Sequence, residues 1–252
     1  MEHAEIFMTL SAYQDRFTAK RGDRTVSLPI FPGLEASRVF GSHYAALKAS
    51  ASVLAAGFPV IVADLSPKGW NERFQQKEAL PLTRAAKNLH ADAIKQNGDL
   101  DAWRIEKLKW KWPLDPAVAS ETRQWLRGLK AGEGAREALS DPAIAHAALS
   151  AWHLSGLDGS LKSQVENTVI RASLIANYSS AFQRQPTAAD ILASGPDMDA
   201  AARAAQDGLA VHEAARAEVG QVVAVLNSTV DFVAVVGDMS RDAAFAMISE
   251  AA

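Results

Sequence analysis

"GQVVAVLNSTVDFVAVVG", residues 220–237, decides the fold class. Its 18 residues approach the shortest length that spans a bilayer. Gln221, Asn227 and Asp231 fall inside it. An aspartate at mid-bilayer costs about 3 kcal/mol or more. The stretch therefore reads as a helix buried in a soluble protein, and no membrane span is expected. It belongs to a longer helical run over 198–236, with Gly208 and Gly220 as the places where that run can break.

The same helical grammar extends outward. Upstream, residues 161–185 read as a helix that ends before Pro186, and a short helix follows Ser240. Asp115-Pro116 and Asp141-Pro142 each open an apolar helical pattern. In both, the Asp oxygen accepts from a free backbone N–H, and Pro lacks a donor that would be unpaired anyway. The two are helices started alike, since two copies do not make a solenoid.

The N-terminal quarter reads differently. Ile6, Leu10, Tyr13 and Phe17 keep helical spacing and predict an amphipathic helix over the first twenty residues. "RTVSLPIFPG", residues 24–33, is β-rich but broken by Pro29 and Pro32, so it suits only an edge strand. Residues 34–56 read as a helix closed by Gly57. "FPVIVADL", residues 58–65, is short, β-branched and bounded by turn residues, which predicts a strand. The expected fold is mainly α, a multi-helix bundle-like protein with a small β element near the N-terminus.

Composition sets the outer bounds. The chain has 252 residues, 48% of them hydrophobic and 22% charged, which suits one large domain or two small ones. There is no cysteine, so disulfides, thiolate catalysis and sulfur-ligated zinc are excluded. The acidic start "MEHAE" is unlike a secretory signal, so a cytoplasmic protein, or a virion component, is expected. The net charge of −3 is unevenly spread. Residues 1–130 hold 19 Lys and Arg against 14 Asp and Glu, and residues 131–252 hold 7 against 15. The glycine-rich "RGLKAGEGA" at 127–135 marks the change. Two regions are therefore expected: 1–130, basic with short strands, and 131–252, acidic and Ala-rich, unless they form one continuous domain. Such a split suits an acidic partner or head-to-tail contact between copies.

One surface stands out. "WRIEKLKWKWPL", residues 103–114, packs three tryptophans among four basic residues. Read as a helix begun at Asp99, Trp103 and Trp110 form one ridge. Ile105, Leu108 and Trp112 form another, with Arg104, Lys107 and Lys111 between them. Read as a strand, Lys107, Lys109 and Lys111 take one face and the rings the other. Arg123, Trp125, Arg127 and Lys130 extend the patch onto the next helix. The rings serve as core with the cations snorkelling to water, as anchors for a protein partner, or as a stacking platform for single-stranded nucleic acid.

Catalytic patterns are missing. There is no P-loop and no G-x-S-x-G elbow, and "GEGARE" at 132–137 lacks the third glycine of a dinucleotide site. No histidine has a Glu three residues before it, as a di-iron bundle needs. His146 and His153 are about 10 Å apart along a helix, too far for one ion. The pairs Asp99/Asp101 and Asp197/Asp199 read as first-turn acids. No cofactor or metal is expected. Three functions are carried forward. The first is a non-catalytic helical subunit of a larger assembly, viral or cellular, with protein partners or self-association. The second is a nucleic-acid-associated protein using the Trp/Lys patch. The third is a helical enzyme or small-ligand binder whose site lies scattered in sequence.

Overall fold

The computed structural model describes residues 4–9, 15–109 and 114–251. It is mainly helical, with ten helices among those residues and a three-stranded antiparallel sheet near the N-terminus. Two compact units are present: Met1–Gly98 with Arg216–Ala252, and Asp99–Ala215. The chain passes between them inside two long helices, α4 (Leu80–Leu108) and α9 (Met198–Val236). The change of charge at 130/131 falls within the second unit.

The sheet replaces the helix expected over the first twenty residues. Glu5–Thr9 forms β1, Arg16–Arg21 forms β2 and Arg24–Pro29 forms β3, in the order β1-β2-β3. Ile6 and Phe17, though helically spaced, sit on two antiparallel strands. Ile6 pairs with Ala19, and Met8 with Phe17. Leu10 and Tyr13, the middle of the expected helix, lie outside the described residues. Arg21-Gly22-Asp23-Arg24 makes the β2–β3 hairpin, with Arg21 opposite Arg24. Gly22 takes φ 54° there, which a residue without Cβ adopts without penalty. β3 is an edge strand, which suits the one proline in it, Pro29.

The segment at 58–65 is not a strand. Residues 58–62 are the end of α2 (Gly41–Val62), which runs through Gly57 and Pro59, and 63–65 follow it in no strand. Tyr44, Leu47, Ala51, Leu54 and Phe58 are buried at helical intervals, so the buried stripe continues past Gly57. Phe58 meets Trp70 edge-on, with centroids 4.9 Å apart. That distant contact outweighs the local β preference of Val60, Ile61 and Val62. The helix expected from Leu34 is split: α1 is Pro32–Glu35, and α2 starts afresh at Gly41.

Trp70 anchors the first unit. It lies in α3 (Pro67–Arg73), is fully buried, and donates from Nε1 to the Val236 carbonyl at 3.1 Å. Ser66 caps α3 by accepting from Gly69 N. A π-helical turn, Phe74–Glu78, leads into α4. The helix expected to begin at Asp99 starts nineteen residues earlier, at Leu80. Asp99 and Asp101 are therefore mid-helix and cap nothing. Leu82, Ala86, Leu89, Ala93 and Leu100 keep the buried stripe continuous across Gly98. Near the sheet, Arg21 is buried and donates to Asn71 Oδ1 at 2.8 Å, with Asp238 Oδ2 at 3.5 Å. Burial pulls its pKa below the ordinary arginine value, while Asp238 opposes that shift. Arg24 donates to the same Asp238 at 2.6 Å.

The second unit is built on α5 (Pro116–Gly128), α6 (Ala131–Ser140), α7 (Pro142–Ser150) and α8 (Lys162–Tyr178). Both Asp-Pro starts hold. Asp115 accepts from Ala117 N at 2.7 Å, and Asp141 accepts from Ala143 N at 2.7 Å. The glycine-rich stretch is helical over most of its length, because α6 begins at Ala131. Ala138, Ala145, Val165 and Val169 form one core cluster, and Ile170, Leu174, Ala205 and Leu209 form another, with Leu108 against both. α8 stops at Tyr178, seven residues short of the expected end, and Asp197 accepts from Ala200 N to start α9. α9 has the bounds read from the sequence and stays helical through Gly208 and Gly220. α10 (Arg241–Ser249) is capped by Ser240, which accepts from Ala243 N.

By length and composition, α2 and α9 are each apolar enough to cross a membrane. In α9, 56% of the apolar stretch is buried in the protein, against 22% in α2.

Candidate functional site

Among the described residues of the Trp/Lys patch, Arg104 and Arg123 are engaged with neighbouring helices, while Lys109, Trp125 and Arg127 are exposed. Trp103 is half-buried, and one face of its indole is covered by His212, with ring centroids 4.3 Å apart and planes 22° from parallel. His212 is buried, and its Nε2 lies 3.2 Å from the Leu100 carbonyl, so the ring N–H there is the donor. Arg104 turns toward α8. Its Nε and Nη2 both donate to Glu166 Oε2, the former at 2.9 Å. Arg123 turns toward α7, donating to the Ala147 carbonyl at 3.0 Å and to Ser150 Oγ at 2.6 Å. Lys107 Nζ lies 3.6 Å from Glu106. Lys109 is exposed. Trp125 is also exposed. Arg127 is exposed too, and its side chain lies across Gly156, where an added Cβ would come within 2.8 Å of Arg127 Cγ. Trp110, Lys111 and Trp112 lie outside the described residues.

Two of the patch's arginines are thus bound to neighbouring helices of their own unit. Arg104 directs Nε and Nη2 to one carboxylate oxygen, and Arg123 directs Nη1 to a carbonyl and a hydroxyl. Among the described residues, no group of three or more His, Asp or Glu is placed to hold a metal ion. His43 Nδ1 and Asp92 Oδ2 form a pair at 2.5 Å.

The first unit holds a groove that the sequence reading missed. Each of three helices gives it one stripe, spaced i, i+3 or i+4, i+7. α4 contributes Lys87, His90, Ala91 and Ile94, and α9 contributes Val223, Leu226, Asn227 and Val230. α10 contributes Arg241, Asp242, Phe245, Ile248 and Ser249. The cavity is about 630 Å³. Its apolar rim is bare: Ile94 is 61% exposed, Phe245 56% and Val223 47%. The polar groups at its margin are largely engaged. Lys87 Nζ donates to the Ala251 carbonyl at 2.6 Å, and Arg241 Nε donates to Asp231 at 2.8 Å. The available signal was an apolar period on α9 wider than one buried stripe needs, but one of its partners, α4, lies over a hundred residues away in sequence.

The second unit carries a bare apolar tip. Between α8 and α9 the chain forms a closed loop, its neck tied by Arg184 N to the Gly195 carbonyl and Asp197 N to the Phe182 carbonyl, both at 2.9 Å. Gly195 has φ +85°, a conformation side chains rarely adopt. Inside the loop, Thr187 N donates to the Asp190 carbonyl at 2.9 Å, and Leu192 N donates to Asp190 Oδ1 at 3.2 Å. Ile191 is 74% exposed and Leu192 84%.

No protein-family model, no curated protein and no solved structure matches this chain.

Proposed function

We propose that the chain is a non-catalytic helical subunit of a larger assembly, built at least partly from copies of itself. The observation that carries this reading is the uncovered groove of α4, α9 and α10. Solvent-exposed apolar side chains are ordinary when scattered, but a concave cluster of them is typical of a recognition surface. The exposed outer side of α2, with Val53 and Val60 bare, adds a second apolar surface to the same unit. Arg104 and Arg123, engaged within the fold, support a protein partner over nucleic acid.

Light scattering across low to high micromolar concentration tests this. A mass that rises with concentration is expected, and a monomer throughout overturns the reading. A cavity of about 630 Å³ also suits a small apolar ligand, which gives a second reading. That reading expects a constant monomer mass and a raised melting temperature with a bound apolar compound.

A further inference from the structure

We propose that the tip of the 185–194 loop on one copy seats Ile191 and Leu192 in the α4/α9/α10 groove of a second copy, joining copies head to tail. This inference rests on the assembly reading above and names its contact. Leu192 is the most exposed large apolar side chain among the described residues, and Ile191 stands beside it. The loop is closed at its neck and braced internally, so the pair is held out on a compact scaffold, as in loops that serve recognition. Holding two aliphatic side chains in water is unfavourable, and a concave apolar site removes that cost. The groove offers such a site, with Ile94, Val223 and Phe245 bare at its rim.

Charge sets the direction. Asp190 lies immediately before the tip and caps Leu192 N, so an anion travels with the aliphatic pair. At the groove, Asp242 occupies the first turn of α10, while Lys87 reaches the Ala251 carbonyl beyond that helix's other end. His90 lies less than one turn further along α4 from Lys87. Arg241 stands beside Asp242 but is paired with Asp231, so Asp242 sets the charge at that end of α10 and Lys87 sets it at the other. Asp190 fits at the Lys87 end and is repelled at the Asp242 end, which leaves one orientation. Tip and groove are different surfaces of one chain, so the contact is heterologous and a joined pair retains one open tip and one open groove.

The test uses the full chain with a tip variant, Ile191→Asp with Leu192→Asp, and a groove variant, Phe245→Asp. All three positions are exposed, and unchanged circular dichroism checks that each variant folds. Val223→Glu serves as a second groove variant. Each variant alone should need about tenfold to a hundredfold higher concentration to associate than the unaltered chain. An equimolar mixture of tip and groove variants should form a dimer and stop there, because each supplies the surface the other lacks. The peptide PTAADILASG, residues 186–195, should hold the unaltered chain as a monomer. If the unaltered chain associates and the variants match it, this contact is wrong while the assembly reading stands. If the unaltered chain stays monomeric at every concentration, both fail.

Discussion

At the scale of single residues, the structure turns on a few polar groups placed where water is scarce. Asp238 faces the buried Arg21 and takes a left-handed φ of 50°. Asn tolerates that conformation but carries no charge, so Asp238→Asn isolates the electrostatic part. It should lower unfolding free energy by about 1–3 kcal/mol, because a buried guanidinium would keep only its Asn71 bond. The fall should appear in the midpoint of urea denaturation. His146, half-buried on α7, has its pKa pulled below 6.5 by burial, which disfavours the charged ring. The unfolded chain then takes up the proton first as pH falls. Stability should be intact above 6.5 and decline as pH drops through 6.5 toward the lowered folded value. His146→Gln should remove that part of the slope, which urea titrations between neutral pH and about pH 5 would reveal. Neither role was legible in the sequence. His146 differs from an ordinary surface histidine only in what packs over it.

At the scale of elements, what was legible was local. The Asp-Pro starts of α5 and α7 depend on two or three neighbouring residues, and both formed as read. Asp141→Ala should cost about 1 kcal/mol by leaving the Ala143 and Ile144 amides without their acceptor, measurable by thermal denaturation. What was misread was decided at a distance. Residues 58–62 have a strand's composition, yet Phe58 is claimed by Trp70 and the helix runs on. Ile6 and Phe17 have a helix's spacing, yet they belong to paired strands. The sheet itself hangs on Trp70's neighbourhood, since Arg21 of β2 and Asn71 of α3 are hydrogen-bonded. Trp70→Phe removes the donor to Val236 and should destabilise by about 1–3 kcal/mol, read from urea denaturation.

At the scale of the whole molecule, the groove explains why a single sequence discloses so little of function. Its stripes come from residues 87–94, 223–230 and 241–249, and each stripe alone looks like ordinary core. The Trp/Lys patch gave the opposite impression: it is conspicuous in sequence, but in the fold Arg104 and Arg123 bind other helices of their own unit. The bare tip at Ile191 and Leu192 was equally invisible, because exposure is a property of the fold. Amide hydrogen exchange of the unaltered chain at low and high concentration tests the central claim of self-assembly most directly. The account predicts that amides of the 185–194 loop and of α10 slow together as concentration rises. Identical exchange in both segments at the two concentrations would contradict it.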